Sequence, residues 1–184
     1  MKIDEGEILR RLTATNDRER QSGFIEMMKR YQQQIYWHVR RLVVLHEDAE
    51  DIVQDTFINV YRHIDSFKGN SSLKTWLYKI STNEALKHLT KKRIETSSYD
   101  NDARLMNLFE ADDDIDFETT EAKLQRAILT LPPKQQAIFN LRYFDELDYQ
   151  HIAQITDSNI VALKSNYYYA KKRVTESLLN QLED

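Results

Sequence analysis

Between Asp48 and Ile64 apolar residues return every three or four positions: Ala49, Ile52, Val53, Phe57, Val60 and Ile64. That spacing predicts a helix with these side chains buried along one stripe. The opposite face gathers Asp48, Asp51, Asp55 and Arg62, and among them sits Ile58, an apolar residue with no inward direction. A second helix is predicted from about Leu73. At about 100° per residue, Trp76, Lys79, Asn83, Lys87 and Thr90 share one of its flanks. The two are joined through Gly69-Asn70-Ser71-Ser72. The glycine suits a tight loop that must approach another molecule closely.

The helical pattern resumes near Glu118. Leu124, Ala127, Ile128 and Leu131 predict a short helix stopped by Pro132-Pro133, and Ile138, Leu141 and Phe144 mark the next. Asp148 is placed to cap a third helix carrying Ile152 and Ile155. Asn159 is placed to cap a last one starting near Ile160. Two short helices meeting through Thr156-Asp157-Ser158, the second longer and basic, predict a helix-turn-helix. On the last helix the expected buried stripe is Ile160, Leu163, Tyr167, Ala170, Val174 and Leu178. Ala162, Ser165, Tyr168, Tyr169 and Lys172 face outward, with Lys164, Lys171 and Arg173 on the flanks.

Few residues compete with this helical reading. Three glycines, two prolines and no strand-like alternation predict an all-α chain, with one or two small domains in 184 residues. There is no run of 18 apolar residues and no basic-then-apolar leader, so a soluble, cytoplasmic protein without membrane insertion is expected. The absence of cysteine excludes disulfides, thiolate metal sites and cysteine nucleophiles.

A net charge of −4 argues at first against a nucleic-acid partner, but the charge is unevenly placed. Residues 1–93 hold 17 basic and 13 acidic groups, and residues 122–184 hold eight and seven. Residues 94–121 hold Arg104 against ten carboxylates, so the overall acidity belongs to that middle segment. Its block at Asp112, Asp113, Asp114 and Asp116 repels itself and reads as a tether. The expected organisation is therefore a domain at 1–93, a flexible acidic linker at 94–121 and a second domain at 122–184.

From Arg62 to Arg93, eight Lys/Arg stand against Asp65 and Glu84. Cations interleaved with Phe67, Trp76 and Tyr78 suit single-stranded DNA, because lysines follow phosphates while rings stack on unpaired bases. Asn83 can pair with an adenine edge or cap a local backbone group. The last helix has small or hydrogen-bonding residues near its start and cations along its sides, as a major-groove helix requires. An acidic helix face suits a basic partner. Each of these faces is also compatible with a simple solvated surface.

Two sets of motifs give the pattern a family. Asp48, Asp51, Gln54, Asp55 and Phe57 fit D-A-E-D-[IV]-x-Q-[DE]-x-F, and Phe67, Gly69, Ser71, Thr75, Trp76, Leu77, Tyr78 and Ile80 fit F-x-G-x-S-x-x-x-T-W-L-[YF]-x-I. Leu131, Pro132, Leu141, Arg142, Leu147, Tyr149, Ile152 and Ala153 follow a third pattern, continued by Leu163-Lys164-Ser165. The chain resembles bacterial RNA polymerase sigma factors of the extracytoplasmic-function group, over regions 2 and 4.

The resemblance implies two helical domains with no catalysis and no cofactor. It implies core polymerase binding, through the clamp helices, by Asp48, Asp51, Gln54, Asp55, Phe57 and Ile58. The melted −10 element would be read by Gly69, Asn70, Ser71, Ser72, Lys74, Trp76, Lys79, Asn83 and Lys87, with a base flipped into the loop. Duplex −35 DNA would be read by Ala162, Lys164, Ser165, Tyr168, Tyr169 and Lys172. An anti-sigma factor is a further implied partner, and the acidic linker would run toward the RNA path. Two departures stand out. Asp157 occupies the usual turn glycine, and Asn166 and Tyr169 replace arginines common in the recognition helix.

Two other readings compete. A stand-alone helix-turn-helix regulator explains residues 122–184 but gives the acidic helix and the Gly69–Ser72 loop no purpose. A metal-dependent hydrolase would use His46, Glu50 and Asp51. His38, His63, His88 and His151 add no ligand spacing, and there is no nucleophile triad or phosphate-binding glycine loop.

Overall fold

The structure, a computed structural model, describes residues 3–95 and 119–183. Within them the chain forms eight α-helices and no strand. The expected linker lies almost wholly outside the described residues, and with it the readings of a flexible tether and of a path toward RNA.

The first lobe is built from α1 (Glu5–Leu12), α2 (Asp17–Val43), α3 (His46–His63) and α4 (Leu73–Glu95). Asp4 and Asn16 cap α1 and α2 by accepting from the backbone N–H of Glu7 and Arg18. At Gly23 the α1 backbone lies so close that a Cβ would meet the Leu12 nitrogen at 2.7 Å, so α1 and α2 can pack only with glycine there. The predicted stripe of α3 is buried throughout, from Ala49 to Ile64. It packs with Ile35, Leu42, Leu73, Leu77 and Leu89 into one core.

The second lobe holds α5 (Thr120–Leu129), α6 (Pro133–Tyr143), α7 (Tyr149–Thr156) and α8 (Ile160–Glu183). Pro133 begins α6, where its missing N–H costs nothing. Asp148 caps α7, and the Asn159 side chain accepts from the Ala162 N–H at the start of α8. Asp157 ends α7 in the left-handed conformation (φ 49°, ψ 42°), tolerated because a short polar side chain lowers the steric cost.

One expectation for α8 fails. Ile160 is 38% exposed rather than buried, because it lies in the first turn, beyond the core that receives Leu163, Ala170 and Val174.

The lobes share an apolar core. Ala137, Ile138, Leu141, Ile152, Ile155 and Leu163 join the cluster centred on α2, α3 and α4. A polar node is sealed into the same seam. His38 on α2 is fully buried, its Nδ1 2.7 Å from Asp145 Oδ2 and its Nε2 2.8 Å from Thr82 Oγ1 on α4. Tyr78 donates to the other Asp145 oxygen at 3.3 Å, and burial, then the Asp145 charge, push its phenol well above the usual range. Arg41 stacks over Phe144, and its carbonyl accepts from Gln125 at 2.9 Å.

Candidate nucleic-acid interface

The acidic face of α3 comes first in the chain. Asp51, Gln54, Asp55 and Ile58 are all exposed along it, since each falls opposite the buried stripe. Asp48 is turned aside, 3.3 Å from His88 on α4. Phe57 is only 2% exposed, with an edge contact to Phe24. It therefore shapes the floor of a cleft between α2 and α3, with Gln33, Tyr36 and Gln54 on the walls, rather than projecting outward.

His46 and Glu50 meet at 3.2 Å, but the other imidazole nitrogen is taken by the Tyr36 hydroxyl at 2.7 Å. Among the described residues no three potential ligands come together, so the pair is part of a surface hydrogen-bond chain.

The loop before α4 is built by groups distant in sequence. Gly69 has φ 69°, a conformation in which any side chain would be strained. Ser72 accepts from the Thr75 N–H at 3.0 Å, so its hydroxyl caps α4 and is not free to line a pocket. Glu5, on α1, accepts from the Leu73 N–H at 2.7 Å and from the Tyr31 hydroxyl at 2.6 Å. This carboxylate fixes the loop against the lobe. The sequence pattern gave no sign of it, because the contact spans 68 positions.

Asn70, Ser71, Trp76 and Lys79 do converge, around a cleft of about 390 Å³. Phe67 lies beside Trp76, ring centroids 5.0 Å apart. Tyr78 does not belong to this surface, being turned into the seam. Lys74 leans over the Tyr78 ring, 5.6 Å from its centroid.

The second lobe forms one wall of the cleft, through Gln154 and Asp157. Lys79 is held there, its Nζ 2.7 Å from Asp157 Oδ1. Farther along α4, Asn83 and Lys87 line a separate groove with Ile80 and Leu86. One sequence flank is thus divided between two depressions.

The outer face of α8 is uncovered. Ser165, Tyr168, Tyr169 and Lys172 are exposed and Ala162 is half-exposed. Lys164 lies 5.9 Å from the Tyr149 ring centroid, and Lys172 lies 3.8 Å from Glu176. Asn166 donates back to the Ala162 carbonyl at 2.9 Å, so it is occupied within its own helix.

An exposed acidic face on α3, a loop and basic helix at α4 and a helix-turn-helix at α7 and α8 define a helical DNA-binding protein. Residues 27–94 match the family model for Sigma-70 region 2, and residues 121–174 match that for Sigma-70, region 4. The chain belongs to the extracytoplasmic-function group of sigma factors within the sigma-70 family.

It is similar to the RNA polymerase sigma-H factor of Pseudomonas aeruginosa, 28% identical over 166 residues covering 85% of this chain and 86% of that protein. It is similar to the ECF RNA polymerase sigma-E factor of Escherichia coli K12, 29% identical over 164 residues covering 84% and 85%. The fold is also that of CnrH, solved with the cytosolic domain of CnrY, at a TM-score of 0.69, 16% identity and coverage of 96% of this chain and 97% of that one. RpoE of Bartonella quintana, solved with the anti-sigma factor NepR, superposes at a TM-score of 0.64, 23% identity and coverage of 84% and 96%.

Proposed function

We propose that this sigma factor docks on core RNA polymerase through Asp51, Gln54, Asp55 and Ile58, with Asp48 and Phe57 holding that face in shape. The loop residues Gly69, Asn70 and Ser71, with Ser72 capping the helix behind them, and the α4 residues Lys74, Trp76, Lys79, Asn83 and Lys87 engage the melted −10 strand. Ala162, Lys164, Ser165, Tyr168, Tyr169 and Lys172 engage duplex −35 DNA. The domains fall at 1–93 and 122–184. The protein works in the cytoplasm, has no catalysis of its own, and is restrained by an anti-sigma factor.

The observation that carries this reading is the presence in one chain of three distinct faces, acidic on α3 and basic or hydrogen-bonding on α4 and α8, in the order of regions 2 and 4. A stand-alone regulator would not need the first. Among the described residues no helix is long and apolar enough to cross a membrane.

The arrangement also sets an order of events. With Asp157 on Lys79 and Gln154 beside the loop, the second lobe covers part of the surface at Trp76 and Lys79, the end of α4 nearest the loop. The second lobe must leave this position before the −10 element is read. We propose docking on polymerase as the step that triggers that separation.

In vitro transcription with core polymerase on genomic fragments tests the function. Start sites that appear only when the protein is added support it. Binding to duplex DNA without any polymerase-dependent transcript would replace it with the stand-alone regulator.

A further inference from the structure

The start of α8 carries an apolar group that the fold does not use. Val161 is 77% exposed, more than any other large hydrophobic side chain among the described residues. A single exposed apolar residue needs no explanation by itself, but this one has a particular setting. It is the second residue of the helix, and the Asn159 cap fixes the backbone around it.

Four residues and seven residues on, Ser165 and Tyr168 continue the same face, and Lys172 extends it. No acid occupies the first turn, as is also so in α4, α6 and α7, so nothing there repels a phosphate backbone. A β-branched side chain has little freedom about χ1 in a helix. Val161 therefore presents two methyl groups in a fixed direction from the end of the helix that meets base edges in a helix-turn-helix.

Only one natural base offers an apolar partner in the major groove. Thymine carries a C5 methyl, whereas cytosine, adenine and guanine present polar edges or a bare C–H there. We propose that Val161 is a specificity residue that packs on the C5 methyl group of a thymine in the −35 element. Ser165, one turn on, hydrogen-bonds the edge of a neighbouring base. This rests on the reading of α8 as the −35 helix and adds to it a particular base.

The test uses holoenzyme assembled from core polymerase and the full chain. Promoter duplexes randomised at the −35 element are selected by binding with the wild type, Val161→Ala and Ser165→Ala. Wild type should fix a thymine at one position, Val161→Ala should relax that position alone, and Ser165→Ala should alter a different one. In the selected duplex, replacing that thymine by deoxyuridine removes only the methyl. Wild-type affinity should fall about fourfold, the scale for one buried methyl, while Val161→Ala should not respond.

Because the side chain is exposed and alanine favours helix, the variant should fold normally, which its melting curve checks. An equal deoxyuridine effect in both proteins, or no thymine in the wild-type selection, overturns the role of Val161. If neither substitution alters any −35 position, the assignment of α8 itself is wrong and the proposal falls with it.

Discussion

The two surfaces assigned to DNA are presented in opposite ways. The α8 face stands clear of the rest of the chain, with Val161, Ser165, Tyr168 and Lys172 all exposed. The α4 surface meets the other lobe, with Lys79 bonded to Asp157 and Gln154 walling the cleft beside Asn70, Ser71 and Trp76. The difference matches what each would bind. Duplex DNA is available at any time, whereas the melted strand exists only after polymerase has engaged. A chain that hides its stacking surface until then avoids binding unpaired nucleic acid indiscriminately, since base stacking is tolerant of sequence.

The largest expected effect comes from the acidic face of α3. Asp51→Arg with Asp55→Arg reverses charges that point outward, so the melting temperature should stay close to wild type. Affinity for core polymerase should fall on the order of 100-fold or more, as opposed charges across an interface become like charges. An unchanged affinity in a binding titration removes α3 from the docking surface.

The seam can be weakened next. Asp145→Ala leaves the buried His38 ring and the Tyr78 hydroxyl without their shared acceptor. A loss of about 1–3 kcal/mol in stability is expected from each buried group left unsatisfied. The freed α4 surface should then bind a single-stranded −10 oligonucleotide more tightly, with duplex binding by α8 unaltered. Calorimetry and fluorescence anisotropy read the two effects separately. Equal single-strand binding by wild type and variant would mean that the seam does not cover the site.

Asn70→Ala with Ser71→Ala acts within the −10 surface alone. The holoenzyme should still form closed complexes but open them poorly, seen as weak permanganate reactivity of unpaired thymines. Opening at the wild-type level would reduce the loop to a connector and shift the melting role toward Trp76. The smallest effect is expected on α8. Lys172→Ala should weaken binding to all duplexes similarly and lower the salt slope by about one unit. A change confined to particular sequences would make Lys172 a base-reading residue.

Much of this architecture is legible in the sequence because local rules decide it. The α3 stripe, the caps at Asp148 and Asn159 and the left-handed Asp157 each follow from a few neighbouring residues. What escapes are contacts between distant positions. His38 reads as an isolated histidine, yet its partner Asp145 lies 107 residues away. Glu5 fixes the loop before α4 from a helix whose sequence carries no nucleic-acid signal. Tyr78 matches a motif position beside Trp76, but a tyrosine in that motif can equally serve the seam, and here it does. Periodicity also misplaces Ile160, because a stripe drawn along a helix does not say where the core stops.

The ordered separation of the lobes is the central claim, and a distance measures it. The native chain has no cysteine, so Gln34→Cys on α2 and Asn180→Cys on α8, both exposed, can carry a donor and an acceptor dye without competing sites. The free protein should show a single short distance that lengthens when core polymerase is added, and lengthens no further on single-stranded −10 DNA. In the Asp51→Arg, Asp55→Arg protein, polymerase should leave the short distance in place. A wild-type distance that stays the same in the free chain, in the holoenzyme and in the open promoter complex would contradict the account.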